Sequence, residues 1–131
     1  MDFDTSTPIW LQLVAEFTRR IATGAWPPGG KVPSVRELAA ECGVNPNTVQ
    51  RALAELERDH LAVAERTAGR FVTTDTDRVQ TARLSLAAAA ADAFIATARG
   101  LHLSPDAART LLTDRWDAPR TPKPSLASQE S

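Results

Sequence analysis

Cysteine, histidine, net charge and long apolar runs are all scarce in this chain of 131 residues. Cys42 is the one cysteine, so neither an intramolecular disulfide framework nor a thiolate metal cluster can form. It stands at an apolar helical position, which predicts a packed core thiol. His60 and His102 lie far apart, and both are expected in ordinary structural or surface roles. The chain has no phosphate loop, nucleophile elbow or carboxylate pair with matching spacing, so no enzyme and no cofactor are expected. No apolar stretch approaches the ~20 residues that cross a bilayer, and no membrane partner is expected. The opening MDFDTSTP is acidic and polar, unlike a signal peptide, which predicts a cytoplasmic protein. The formal net charge is −1, and residues 1–74 hold 8 Lys/Arg against 9 Asp/Glu. A nucleic-acid footprint would therefore be local, with Glu55, Glu57 and Asp59 kept off the contact face.

Against these absences stands one dense stretch, Pro33 to Leu56, reading PSVRELAAECGVNPNTVQRALAEL. Ser34 with Glu37 three residues on is a capping box. The serine oxygen accepts from a free backbone N–H, and the glutamate reaches back. Val35, Leu38, Ala39 and Cys42 recur at helical spacing, and Gly43 tolerates the left-handed exit. Asn45 caps a second helix, with Pro46 at its first position. Val49, Ala52, Leu53 and Leu56 line one face of it. Two helices joined by so short a turn are a helix-turn-helix, whose second helix enters the DNA major groove. Asn45, Asn47, Thr48, Gln50 and Arg51 lie away from the apolar face. Asn and Gln pair with adenine, and Arg with guanine or phosphate.

Upstream, residues 1–7 are expected as a flexible arm. Thr7 and Pro8 are expected to open a first helix, as cap and first position, that runs to about Thr23. Ile9, Leu13, Phe17 and Ile21 form its apolar stripe, with Trp10 and Val14 beside them. Trp26, in the turn-rich WPPGGK connection, is expected to plug the core, and Lys31-Val32 to form a short strand. The second helix of the pair should end at about Arg58 or Asp59. Leu61 to Arg66 and Arg70 to Thr73 then read as two strands around a tip bearing Gly69, which makes a β-hairpin, or wing. Arg66 and Arg70 flank the tip, where cations fit phosphates or the minor groove.

From Thr76 the pattern becomes alanine-rich and helical, with rows at Val79, Leu86, Ala90, Phe94 and at Leu84, Ala88, Ala91, Ile95, Ala98. Gly100 ends this helix. Ser104 caps a last one, with Pro105 and Asp106 in its first turn and Ala108, Leu111, Leu112 and Trp116 as its apolar side. These helices carry more apolar surface than one small domain covers, and a two-fold dimer would bury it. The stretch APRTPKPSLASQES is expected to be disordered. The fold class is therefore mainly α with a small β-hairpin. A winged helix-turn-helix at 8–74 is followed by a helical dimerisation extension at 75–117 and a tail at 118–131.

The runs TPIWLQL, TGAWPPGGKVPSVRELA and GVNPNTVQRALAELE, followed by R-x-x-G-x-FV, resemble the GntR family of bacterial regulators, and within it the short YtrA-like branch. The resemblance covers residues 7–74. It implies a dimer that binds operator DNA, usually as a repressor. It also implies that Arg36 is the DNA-contacting arginine of the second helix and that Gly69 is the wing-tip glycine. The expected DNA-contacting set is Arg36, Asn45, Pro46, Asn47, Thr48, Gln50, Arg51, Arg66, Gly69 and Arg70. Three positions depart from the family pattern: Thr67 replaces a first wing glycine, His60 a glycine after the recognition helix, and Leu53 a tyrosine-type residue. With 57 residues after Thr74, the large effector domain that many relatives carry is not expected. An unidentified small-molecule effector, if one binds, would need a cleft in the dimer. The competing reading is a winged-helix module that docks a protein partner without specific DNA binding, for which the neutral net charge speaks.

Overall fold

The computed structural model describes residues 1–119. Five helices and one hairpin follow in order: α1 Ile9–Thr23, α2 Val35–Cys42, α3 Pro46–Arg58, β1 Ala62–Glu65, β2 Gly69–Val72, α4 Thr76–Gly100 and α5 Pro105–Asp117. The chain divides into two compact units, Met1–Ala89 and Ala90 onward. The first unit thus takes in the start of α4, beyond the expected boundary at Thr74. Val79 and Ala82 explain why, since both are buried in the same core as α1, α2 and α3.

That core is built from one stripe per helix. Leu13, Phe17 and Ile21 of α1 meet Leu38, Ala39 and Cys42 of α2 and Val49, Ala52, Leu53 and Leu56 of α3. Ile9, expected in the α1 stripe, is 44 % exposed. Each four-residue step on a helix overshoots a full turn by about 40°. Over three steps Ile9 has drifted about 120° from Ile21, off the face that meets the core. Trp26 fills the edge of this core as expected, with its ring 5.2 Å from that of Phe17. Arg20 lies over both rings and joins Glu16 of α1 to Glu41 of α2. Its hydrogen bond holds the Glu41 carboxyl below the usual range. Burial, followed by the Glu41 charge, pushes the Cys42 thiol up, which keeps it protonated and inert.

The start of α1 differs from the sequence reading. Pro8, not Thr7, holds the cap position, with a ψ of 140°. Its carbonyl accepts from the N–H groups of Leu11 and Gln12. The Gln12 side chain reaches back instead, donating to the carbonyls of Asp4 and Thr7 and accepting from Asp4 N–H. The segment read as an arm therefore makes hydrogen bonds to α1, and Phe3 packs against the core.

The α2 capping box forms as expected. Ser34 Oγ accepts from Glu37 N at 3.1 Å, and Glu37 Oε1 accepts from Ser34 N at 3.4 Å. Gly43 then turns the chain at a φ of 67°, a left-handed value that costs glycine little. The end of α3 lacks that help. His60 follows it with a φ of 60°, so an L-residue holds the left-handed conformation that favours glycine. The strain is about 1–2 kcal/mol.

The hairpin is antiparallel, with Ala62 opposite Val72, Val63 opposite Phe71, Ala64 opposite Arg70 and Glu65 opposite Gly69. Lys31 forms a single bridge to Phe71, which is the whole of the short strand expected at Lys31-Val32. Asp75 opens α4 by accepting from Asp77 N at 3.0 Å, and Arg83 Nε donates to the Ala22 carbonyl at 2.8 Å.

In the second unit Ser104 caps α5 through Ala107 N at 3.0 Å. Ala98 is buried and Phe94 half-buried. Most of the apolar side expected on α5 is open: Leu111 and Leu112 are exposed, and Trp116 is 89 % exposed. Ile95, Leu101 and Leu103 are exposed too. The tail expected to be disordered at 118–131 falls almost wholly outside the described residues. No helix among the described residues is long and apolar enough to cross a membrane.

Candidate nucleic-acid interface

Helix α3 has two faces of opposite chemistry. Val49, Ala52, Leu53 and Leu56 are fully buried, which fixes the rotation of the helix about its axis. The same rotation turns Asn45, Pro46, Asn47, Gln50 and Arg51 to the surface and leaves Thr48 half-buried. Asn45 Oδ1 accepts from Asn47 N at 2.8 Å, so one amide is spent on capping. The side chains of Asn47 and Gln50 make no hydrogen bond among the described residues and are open to a ligand.

The cations divide into bound and unbound. Arg36, on the exposed side of α2, and Arg66, at the wing tip, make no ion pair among the described residues. Arg70, read as the second tip cation, is instead half-buried and paired through Nε to Glu57 of α3. The Ala64–Arg70 register places it one pair back from the tip, beside the end of α3. Its physical role in the structure is to fasten wing to helix. The pair also neutralises Glu57, and Arg58 partly does so for Glu55 at 3.7 Å. Two of the three carboxylates that would repel a phosphate are thereby masked.

Gly69 sits at the tip with a φ of 103°. A Cβ built there would lie 3.2 Å from Lys31 Cε, which the flexible lysine can yield, so the backbone conformation is what calls for glycine. Lys31 itself is exposed beside the wing, a cation that no local motif marks because it precedes the helix-turn-helix. Trp10 is the other residue missed. Its ring lies under the Arg51 guanidinium, with Cζ 4.0 Å from the ring centroid. Forty residues separate the pair, and no local pattern connects them. Among the described residues, no group of three or more His, Cys, Asp or Glu could hold a metal ion.

A buried three-helix core, an exposed polar recognition face and a hairpin braced against it define a winged helix-turn-helix DNA-binding protein. Residues 10–72 match the family model described as bacterial regulatory proteins, gntR family. Two curated relatives are informative. The chain is 33 % identical over 102 residues to the uncharacterised HTH-type transcriptional regulator YhcF of Bacillus subtilis, spanning 78 % of this chain and 84 % of that protein. It is 40 % identical over 72 residues to the HTH-type transcriptional repressor YtrA of the same organism, spanning 55 % of each. Among solved structures, a GntR family transcriptional regulator from Listeria monocytogenes superposes with a TM-score of 0.75 at 34 % identity, covering 86 % of this chain and 98 % of that one. The chain belongs to the GntR family, and these relatives are transcription regulators.

Proposed function

We propose that this chain is a cytoplasmic, homodimeric repressor that binds an inverted-repeat operator in double-stranded DNA. The observation that carries the reading is the polar face of α3, where Asn47, Gln50 and Arg51 stand exposed opposite a fully buried apolar face. Their types match base edges, whereas a protein-docking helix more often shows aromatics or methionine. Arg36, Lys31 and Arg66 supply phosphate contacts on either side. Dimerisation through the C-terminal helices is supported by the open apolar residues of the second unit, Trp116 foremost. The sign of regulation is supported by the YtrA relative, a transcriptional repressor.

Electrophoretic shift at ~150 mM salt tests the reading, because binding that is only electrostatic fades there. The probe is a duplex enriched by the protein from a random-sequence pool, compared with an unrelated duplex. Retention of the enriched duplex alone is expected. Arg36→Ala should weaken both duplexes alike and reduce the salt slope by about one unit. Asn47→Ala and Gln50→Ala should each narrow the gap between the two duplexes by about 1–3 kcal/mol. A protein that enriches no sequence would favour the protein-docking module.

A further inference from the structure

Arg51 is an exposed cation with an unusual anchorage. Arg20, Arg58 and Arg70 of the same unit are tied to carboxylates, but Arg51 makes no ion pair among the described residues. Its guanidinium instead rests on the Trp10 ring, 4.0 Å from the centroid. Trp10 is half-buried, yet it is not among the residues that form the core cluster or pack against it. Its neighbours in sequence behave differently: Leu13 and Phe17 are fully buried, and Val14 packs on the core. A tryptophan in the first turn of α1 thus carries a side chain of the recognition helix on its ring.

That arrangement has a physical consequence. An arginine on an open helix face samples many rotamers, and ordering it on binding weakens affinity. A ring beneath one face of the guanidinium restricts that freedom and leaves the N–H groups able to bond outward. The ring cannot neutralise the charge as a carboxylate would, so the full cation is kept for an anionic or acceptor-rich ligand. Arg51 also lies four residues after Asn47, on the same side of α3, so the pre-set cation stands next to a base-reading amide.

We propose that Trp10 is a positioning residue for DNA recognition: it holds Arg51 in the orientation that bonds a guanine edge or phosphate beside the base read by Asn47. The proposal rests on the DNA reading above and adds to it a residue of α1, outside the helix-turn-helix.

The test is a double-mutant cycle on the duplex enriched by the unsubstituted protein, read as dissociation constants at ~150 mM salt. Arg51→Ala should weaken binding about tenfold. Trp10→Ala should weaken it about three- to fivefold. The double variant should bind no worse than Arg51→Ala alone, because Trp10 acts only through Arg51. Trp10→Phe should recover part of the loss. A second readout covers the case of a poorly folded Trp10→Ala. With Trp26→Phe and Trp116→Phe in place, emission from Trp10 should shift when the enriched duplex is added and stay unmoved with an unrelated duplex. Losses that multiply in the double variant, parental affinity in Trp10→Ala, or an emission unmoved by the enriched duplex would each overturn the proposal. If the unsubstituted protein enriches no duplex, the DNA reading fails and the positioning role falls with it. If it enriches one and Trp10→Ala binds it like the parent, only the positioning role fails.

Discussion

Leu112→Asp combined with Trp116→Ala should leave a lone subunit at micromolar concentration and weaken operator binding by about 100-fold or more. The two positions are one helical turn apart on α5 and both are exposed, Leu112 at 51 % and Trp116 at 89 %. Two large apolar side chains on one exposed helix face are a surface that a second copy would cover. A carboxylate placed there must be desolvated if the copies still pair, which strongly opposes association. Once separated, each copy binds a half-site alone and loses the effective concentration that linkage supplies. The first unit ends at Ala89, so its melting should not change. Sedimentation and shift titration on full and half operators check this together. A variant that remains a dimer would show that another surface pairs the copies. A lone subunit with parental affinity would show that pairing does not matter for binding.

Phe17→Ala should cost the first unit about 3–5 kcal/mol. Phe17 is fully buried at the point where α1 meets α3, with Trp26 against its ring. Its removal leaves a cavity that the surrounding helices fill only in part, and the cation–π contact from Arg20 loses one of its two rings. For a unit of this size the midpoint of thermal unfolding should fall by roughly 15–30 °C. Phe17→Leu, which keeps most of the volume, should cost under about 1.5 kcal/mol. Calorimetry or circular dichroism against temperature separates the two. Equal, small losses for both variants would mean that the core is not organised around this ring.

The parts of this molecule that could be read from the sequence are those whose cause is local. The Ser34–Glu37 box, the Asn45 cap with Pro46 behind it and the glycine turn at Gly43 each depend on a few adjacent residues, and each appears in the structure. The buried face of α3 was legible because Val49, Ala52, Leu53 and Leu56 keep helical spacing over a short helix, where drift is small. The longer α1 shows the limit of that reasoning, since the same spacing carried back to Ile9 leaves the core. What remained hidden depends on partners distant in the chain. Arg70 reads as a free tip cation in the sequence, but Glu57 stands beside it in the fold. Trp10 reads as one more apolar residue, but the Arg51 guanidinium lies on its ring. The α4 core contact through Ala82 was equally invisible, because alanine fits a core, a dimer seam or an exposed helix. His60 is a middle case: the missing glycine could be seen in the sequence, but the left-handed φ could be seen only in the structure.

Paired copies are expected to present the Asn47, Gln50 and Arg51 tip to two half-sites on one duplex. Footprinting of the enriched duplex at ~150 mM salt measures this most directly. Two protected patches related by a dyad are expected, with centres one helical turn of about 10–10.5 base pairs, or a multiple of it, apart. Both patches should disappear together in the Asn47→Ala, Gln50→Ala double variant. A single unpaired patch, or dyad protection that survives that double variant, would contradict it.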